Sequence, residues 1–345
     1  MPNQVIEGWD TYATGAITSA APGPIEGSEW TPSPYSGTTG GVSVSSTNPG
    51  NGTRSIFMNG FAIGLSQAVI DDNIYCWGMR ISCASFSAGG TRYGAGIIGA
   101  TTNLHLAIDG TGHPVLVRGS TVLWTAPNPV AGATYQYLDA VYNRSLGTCE
   151  VYLNNNLLDT VAGIVSIGAI NSARVGNVPL IAIASNPQTY IDDVYFNAGN
   201  DRWGEIGVIL LAPDADTAQA DWTPTGVASG FQALDNVPPN SGQYIEAVNV
   251  GDVSTFEIPE TPVGTFQVFA VKHYFRAQKT TAGAADVEGR LEVGGNVYVG
   301  ANRTVIQGAY TSYSDLYELN PDTGLPWVPA DFIGGNVLIG YERTA

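Results

Sequence analysis

Lysine is nearly absent from this chain. Its 345 residues include two, Lys272 and Lys279, beside eleven arginines. Charged residues of all kinds make up 12%, about half the ~25% of an ordinary soluble domain. Acids outnumber bases 30 to 13, which leaves a formal net charge of −17. A surface of that sign repels phosphate backbones and anionic lipid, so neither nucleic acid nor a membrane is expected as a partner. It suits solubility, cations, neutral sugars and basic protein surfaces.

Cysteine is scarce too. Cys76, Cys83 and Cys149 are odd in number and form no CxxC pair. Cys76 and Cys83 lie seven apart on one expected strand, so they point to opposite faces and cannot bond each other there. Buried, reduced thiols are the reading. No 18-residue apolar run exists, so no transmembrane helix is expected. The first residues, Met1 to Gly8, lack the basic and apolar regions of a secretory signal, and synthesis in a cytosol is expected. In that setting the sequons at Asn51, Asn143 and Asn302 read as chance. No phosphate loop or dinucleotide fingerprint occurs.

What the chain does contain is alternation. Segments of period 2 recur every 8–12 residues or so, with turn formers between them and no long stretch of period 3.6. The fold class expected is all-β, two β-sandwich (jelly-roll-like) domains in tandem: residues 1–200, a linker at 201–206, and 207–345. In the segment Asn73 to Ser82, the large residues Tyr75, Trp77, Met79 and Ile81 share one face and mark the core side. Strands are also expected at Val5–Tyr12, Ser55–Ile63, Ala95–Ala100, Leu104–Ile108, Val115–Arg118, Thr121–Trp124, Thr134–Tyr142 and Thr148–Leu153. Asn154-Asn155-Asn156 reads as a turn, because asparagine tolerates left-handed backbone. In the second half, Gly207–Ala212 reads as an apolar strand and Trp222 as an anchor. Thr265–Phe275, apolar on both faces, reads as a central strand. Val287, Gly289, Leu291 and Val293 alternate with Glu288, Arg290 and Glu292, as on a half-exposed strand.

One stretch is unusual. Tyr190-Ile191-Asp192-Asp193-Val194-Tyr195-Phe196 is strand-like, yet it carries two aspartates. Strict alternation puts Asp193 with Ile191 and Tyr195 on one face, and Asp192 with Val194 and Phe196 on the other. A buried carboxylate requires a partner: an amide, an arginine, a hydroxyl or a metal ion. Ca²⁺ held by oxygen ligands from Asp192-Asp193 or from Asp71-Asp72-Asn73 is the metal alternative. The other alternative is hydrogen bonding that fixes register, and the expectation is no cofactor.

Two resemblances follow from these motifs. Tyr137-Leu138-Asp139-Ala140-Val141-Tyr142, then Glu150-Val151-Tyr152-Leu153-Asn154, then Ile191 to Phe196 resembles the core of a concanavalin A-like (laminin-G-like) jelly-roll sandwich. The resemblance implies that the closing strand pairs with the first strand, Val5–Tyr12. Tyr317 to Ile333, with Asn320-Pro321-Asp322-Thr323-Gly324 and Trp327, closing in Asn336 to Tyr341, resembles a C-terminal module of tailed-bacteriophage virion proteins. There the turn leads into a short helix and a last strand. Val328 stands where the family usually has Thr or Ser, which removes a capping hydroxyl. Pro329 suits a helix start.

The function expected is a non-enzymatic bacteriophage virion structural protein on the particle exterior. Tail-associated and capsid-decorating positions are both open. Its expected partners are other virion proteins, further copies of itself in a homo-oligomer, and host-surface glycans bound by the first domain. The alternatives are a carbohydrate-binding host-attachment protein and a glycan depolymerase. No catalytic, cofactor-binding or metal residue is assigned. Glycan hydrolysis requires two carboxylates flanking the sugar, and Glu288 and Glu292 have Arg290 between them. His105, His113 and His273 lack the close spacing of a zinc site. Trp30, Tyr35, Tyr93 and Trp124 are candidate sugar platforms, with core or interface filling as the plainer role.

Overall fold

The structure is a computed structural model. It describes strand backbones at 4–7, 15–17, 31–34, 41–45 and 55–59, and residues 63–83, 93–177, 189–199, 201–236, 240–260, 266–308 and 310–345. The chain divides into two compact units, the first ending at Ile209 and the second running from Leu210 to Ala345.

Sixteen strands lie among the described residues of the first unit. They are β1 (Gln4–Glu7), β2 (Gly15–Ile17), β3 (Thr31–Pro34), β4 (Gly41–Ser45), β5 (Ser55–Asn59), β6 (Ile63–Ala68), β7 (Ile74–Cys83) and β8 (Tyr93–Gly99). Then come β9 (Asn103–Ile108), β10 (Pro114–Arg118), β11 (Thr121–Thr125), β12 (Gln136–Asn143), β13 (Thr148–Leu153), β14 (Asn156–Val161), β15 (Ile170–Asn177) and β16 (Thr189–Ala198). One sheet runs β14-β13-β12-β7-β16-β5-β4-β2, with β1 also on β16, and the other runs β11-β10-β9-β8-β15-β6-β3. The expected partnership of first and closing strands is present, with Gln4 opposite Asn197 and Glu7 opposite Val194. Tyr75, Trp77, Met79 and Ile81 all point into the core between the sheets, beside Leu104, Leu106, Leu138, Val151 and Phe196. Each large side chain buried there contributes roughly 1.5–3 kcal/mol, which makes strand register hard to slip. Asn154 and Asn155 take left-handed backbone at φ 48° and 65° and turn the chain from β13 into β14. All three cysteines are buried and free.

The second unit is also all-β. Its strands are β17 (Ala215–Ala220), β18 (Thr223–Thr225), β19 (Tyr244–Glu246), β20 (Val253–Glu257), β21 (Val271–Ala277), β22 (Asp286–Val293), β23 (Asn296–Val299), β24 (Arg303–Thr304), β25 (Thr311–Tyr317) and β26 (Val337–Arg343). A six-stranded sheet runs β17-β20-β26-β22-β23, with β24 also on β22. The pair β21-β25 packs against it in a cluster of Phe275 with Phe256, Val287 and Tyr341, and the pair β18-β19 is a separate small sheet whose Ile245 packs against the same cluster. β22 alternates as read, with Val287, Gly289, Leu291 and Val293 buried.

Two sequence readings need correction here. Residues 207–212 form no strand, and Ile209 is 60% exposed. Apolar composition does not make a strand where no sheet edge is beside it. The expected central strand 265–275 is the two-stranded partner β21, which begins at Val271, and Phe266 is exposed. Among the described residues, β21 pairs with β25 alone.

Candidate functional site

The two aspartates of β16 do not take opposite faces. Pairing with β7 shifts between Asp192 and Tyr195, and Asp193 takes left-handed backbone at φ 45°. This is a β-bulge, one residue inserted into the ladder. It puts Ile191, Val194 and Phe196 together in the core. Strict alternation had separated Ile191 from the other two. Asp192 stands in register with Arg80, and Tyr195 with Gly78, on the outer face of the sheet.

That outer face is polar and nevertheless buried. Arg80 Nε donates to Asp193 Oδ2 at 2.7 Å, and the amide of Val208 donates to Asp193 Oδ1 at 2.8 Å. Asp192 Oδ1 accepts the amide of Asp193 at 2.9 Å, and the hydroxyl of Tyr137 donates to the Asp193 carbonyl at 3.2 Å. Arg80 also donates to the Glu205 carboxylate at 3.1 Å and to the Ile206 carbonyl at 3.2 Å. Burial alone lowers the Arg80 guanidinium; the hydrogen bond and charge of Asp193 raise it above its ordinary value.

A second pair lies alongside. Arg202 forks onto the carboxylate of Asp139, whose side chain is fully buried, and its Nη2 also reaches Asn155 Oδ1 at 3.1 Å. Its guanidinium lies 3.7 Å from the centre of the Tyr152 ring, a cation–π contact. Burial pushes the Asp139 carboxyl up, against the pull of Arg202. Trp203 stacks on Tyr195 at 5.1 Å. Gly78 makes room for this packing: a Cβ there would stand 2.5 Å from the Tyr195 ring and 2.9 Å from that of Tyr137.

Residues 201–208 are thus strapped onto the first sandwich. The partners are far apart in sequence: Arg202 finds Asp139, and Val208 finds Asp193. No sequence signal joins residues 63 positions apart. The arrangement immobilises charge.

The Asp71-Asp72-Asn73 group fits Ca²⁺ poorly. Asp71 accepts Arg144 Nη1 and the Ile170 amide, each at 2.6 Å. Asp72 caps the Ile74 amide at 3.1 Å, and Asn73 Oδ1 accepts Arg144 Nη2 at 3.3 Å. An arginine already fills the position a cation would take. Among the described residues no cluster of three or more His, Cys, Asp or Glu is placed to hold a metal.

The remaining candidates scatter. Trp124 is half-buried against the first core. Trp30, Tyr35 and the side chain of Tyr93 lie outside the described residues. His105 is buried on the outer face of the second sheet, in register with Gly96, and burial followed by the charge of Arg174 lowers it to about 3. His113 Nδ1 lies 2.7 Å from the Ala126 carbonyl. In the second unit Arg290 bonds the Glu342 carboxylate. Glu288 and Glu292 therefore flank an ion pair. Trp222 packs on the core and donates to the Asp252 carbonyl at 2.9 Å.

The C-terminal turn is closed by its own residues. Asn320 Oδ1 caps the Asp322 amide at 2.9 Å, and the Gly324 amide closes on the Asn320 carbonyl at 2.8 Å. Trp327 is buried, stacks on Phe332 at 5.3 Å and donates to the Tyr317 carbonyl at 2.9 Å. The expected helix is a single 3₁₀ turn, Pro329–Phe332; Asp331 Oδ2 accepts the Val328 amide at 2.9 Å, and the Asp331 amide, which a hydroxyl at 328 would have taken, donates to the Val328 carbonyl at 2.9 Å.

No family model matches the chain. No curated protein matches it either. Solved structures similar to it are β-sandwich domains. The cellulose induced protein Cip1 shares 16% identity at a TM-score of 0.43, over 51% of this chain and 94% of its own. Domain 4 of the extracellular arabinanase AbnA from Geobacillus stearothermophilus, solved with arabinotriose, shares 16% at 0.37, over 49% and 81%. The carbohydrate binding module CBM66 from Bacillus subtilis shares 12% at 0.30, over 49% and 96%.

Proposed function

We propose that this protein is a non-catalytic binding and structural protein. Its first sandwich recognises a neutral glycan, and its second attaches it to the exterior of a virus particle. The carrying observation is the state of the carboxylates. Asp139, Asp193 and Asp71 each lie under an arginine, and Asp193 and Asp71 also accept backbone amides. Groups so engaged fix strands and straps; a general acid or nucleophile must stay available to substrate. A neutral sugar is one of the ligand classes that a net charge of −17 does not repel.

The virion placement rests on the resemblance of the C-terminal turn, Asn320 to Trp327, together with the lysine-poor acidic composition, which is unsuited to lining packaged DNA. In this reading the second unit also makes the contacts of a homo-oligomer and of neighbouring virion proteins. Two measurements test the proposal. A glycan array with the full chain should yield a neutral glycan binder, without release of reducing sugar. Mass spectrometry of purified particles should find the chain. Absence from the particles removes the virion placement; a blank array removes the glycan; sugar release overturns the non-catalytic reading.

A further inference from the structure

His273 lies in the second unit, on the face of β21 turned to the six-stranded sheet, and is 3% exposed. Neither ring nitrogen meets a hydrogen-bond partner. The ring lies among Phe275 at 5.6 Å and Tyr341 at 5.4 Å. Directly opposite it on β25 stands Asp315. That carboxylate is half-satisfied: Oδ1 accepts the Ala301 amide at 3.1 Å and Arg303 Nη2 at 3.0 Å, while Oδ2 is buried with no partner. His273 Nδ1 and Asp315 Oδ2 converge on one point of β22, where a Cβ on Gly289 would stand 2.9 Å and 3.0 Å from them. Glycine there lets both groups into the layer.

We propose that His273 and Asp315 form a proton-operated clasp: neutral His273 leaves β21 and β25 seated on the six-stranded sheet, and protonated His273 releases them. An imidazolium in this layer has aromatic rings on two sides. The carboxylate facing it, Asp315, is already shared with Arg303. A charge so placed is relieved by letting the two-stranded layer open to water. The ionisable groups packed around the ring are Asp315, Tyr313 and Tyr317 of β25 and Tyr341 of β26, with Arg303 of β24 beyond Asp315. β22 and β20 contribute Val287, Gly289 and Phe256, none of which titrates. Lys272 and Arg276 alternate onto the other face of β21.

The sign follows from burial. Burial lowers His273 from 6.5 to about 4, with Asp315 opposing. The neutral form is favoured in the folded state, so stability is full above pH 6.5 and falls as pH drops toward 4. By pH 5 the opening equilibrium should have risen roughly tenfold or more.

The chain has three histidines, so ¹³C-labelled imidazole signals of the full-length protein are separable. Titration should place His273 near pH 4. Over the same range, hydrogen exchange in 271–277 and 311–317, corrected for intrinsic pH dependence, should rise ahead of 253–257. His273→Gln and His273→Phe should abolish that rise, and Asp315→Asn should move the His273 midpoint lower. A His273 midpoint near 6.5, or an equal rise in the His273 variants, overturns the clasp. The wild-type titration needs no variant, so it decides even where a substitution fails to fold.

Discussion

The two units bury their ionisable groups in contrasting ways. The first places carboxylates on the outer face of a sheet and brings arginines onto them, Arg80 from β7 and Arg202 from the strap. The second places a histidine and a half-bonded aspartate between two layers. In the first unit's arginine–aspartate cluster burial and charge complement each other, and the cluster fastens chain to chain. In the second the same kinds of residue leave a weak point that titrates. A buried polar group stabilises only to the extent that its partners come with it.

The largest expected effect strikes the first unit's pairing. Arg202→Met strands the Asp139 carboxylate, whose side chain has no exposure, and should cost about 3–5 kcal/mol. Urea denaturation measures it. Asp139→Asn in the same background should restore much of the loss, because the uncompensated charge goes with it. A loss that the second substitution leaves intact would assign the effect to the Tyr152 packing of Arg202 instead.

Next in size is Gly78→Ala. Its Cβ would stand 2.5 Å from the Tyr195 ring, which Trp203 holds from the far side. Overpacking of this kind costs about 1–3 kcal/mol. A thermal melt of the variant beside wild type measures it, and an unchanged midpoint would show that the strap yields easily.

These two sites show what could be read from the residues and what could not. The core face of β7 was legible, because Tyr75, Trp77, Met79 and Ile81 keep strict alternation and all four are buried. The closing strand was legible as well. Its bulge was not: a period of 2 carries no mark of one inserted residue, and Asp193 looked like a core-face neighbour of Ile191 until the ladder shifted. Nor was the strap. The stretch 201–206 reads as a linker, and its attachment depends on Asp139 and Arg80, which lie 63 and 125 residues away from Arg202 and Glu205. In the second unit Gly289 was visible as a member of β22's buried face. Its use as the point toward which His273 and Asp315 both turn depends on pairing between other strands.

Acid sharpens the comparison. His105 in the first unit is lowered to about 3 by burial and by Arg174, and His273 in the second to about 4. Both favour the neutral ring when folded, so each histidine contributes stability that is full above pH 6.5 and is lost as pH falls, His105 across 6.5 to about 3 and His273 across 6.5 to about 4. Urea midpoints at stepped pH, followed by exchange in β9 for one unit and β21 for the other, should show the second unit's loss levelling off at the higher pH. His105→Gln should flatten the first unit's response and leave the second's unchanged.

The smallest effect expected is none at all. Asp71 already carries Arg144 at 2.6 Å where Ca²⁺ would sit, and Asp193 carries Arg80. A chelator should therefore leave the melting temperature of the full chain unchanged, while Asp193→Ala lowers it by removing the partner of Arg80 and of the Val208 amide. Arg144→Ala, at a pair open to solvent, should cost less than about 1 kcal/mol. Should the chelator lower the midpoint and added Ca²⁺ restore it, a metal would have to displace one of these arginines, and the first unit's charges would be held by exchangeable ions as well as by the chain.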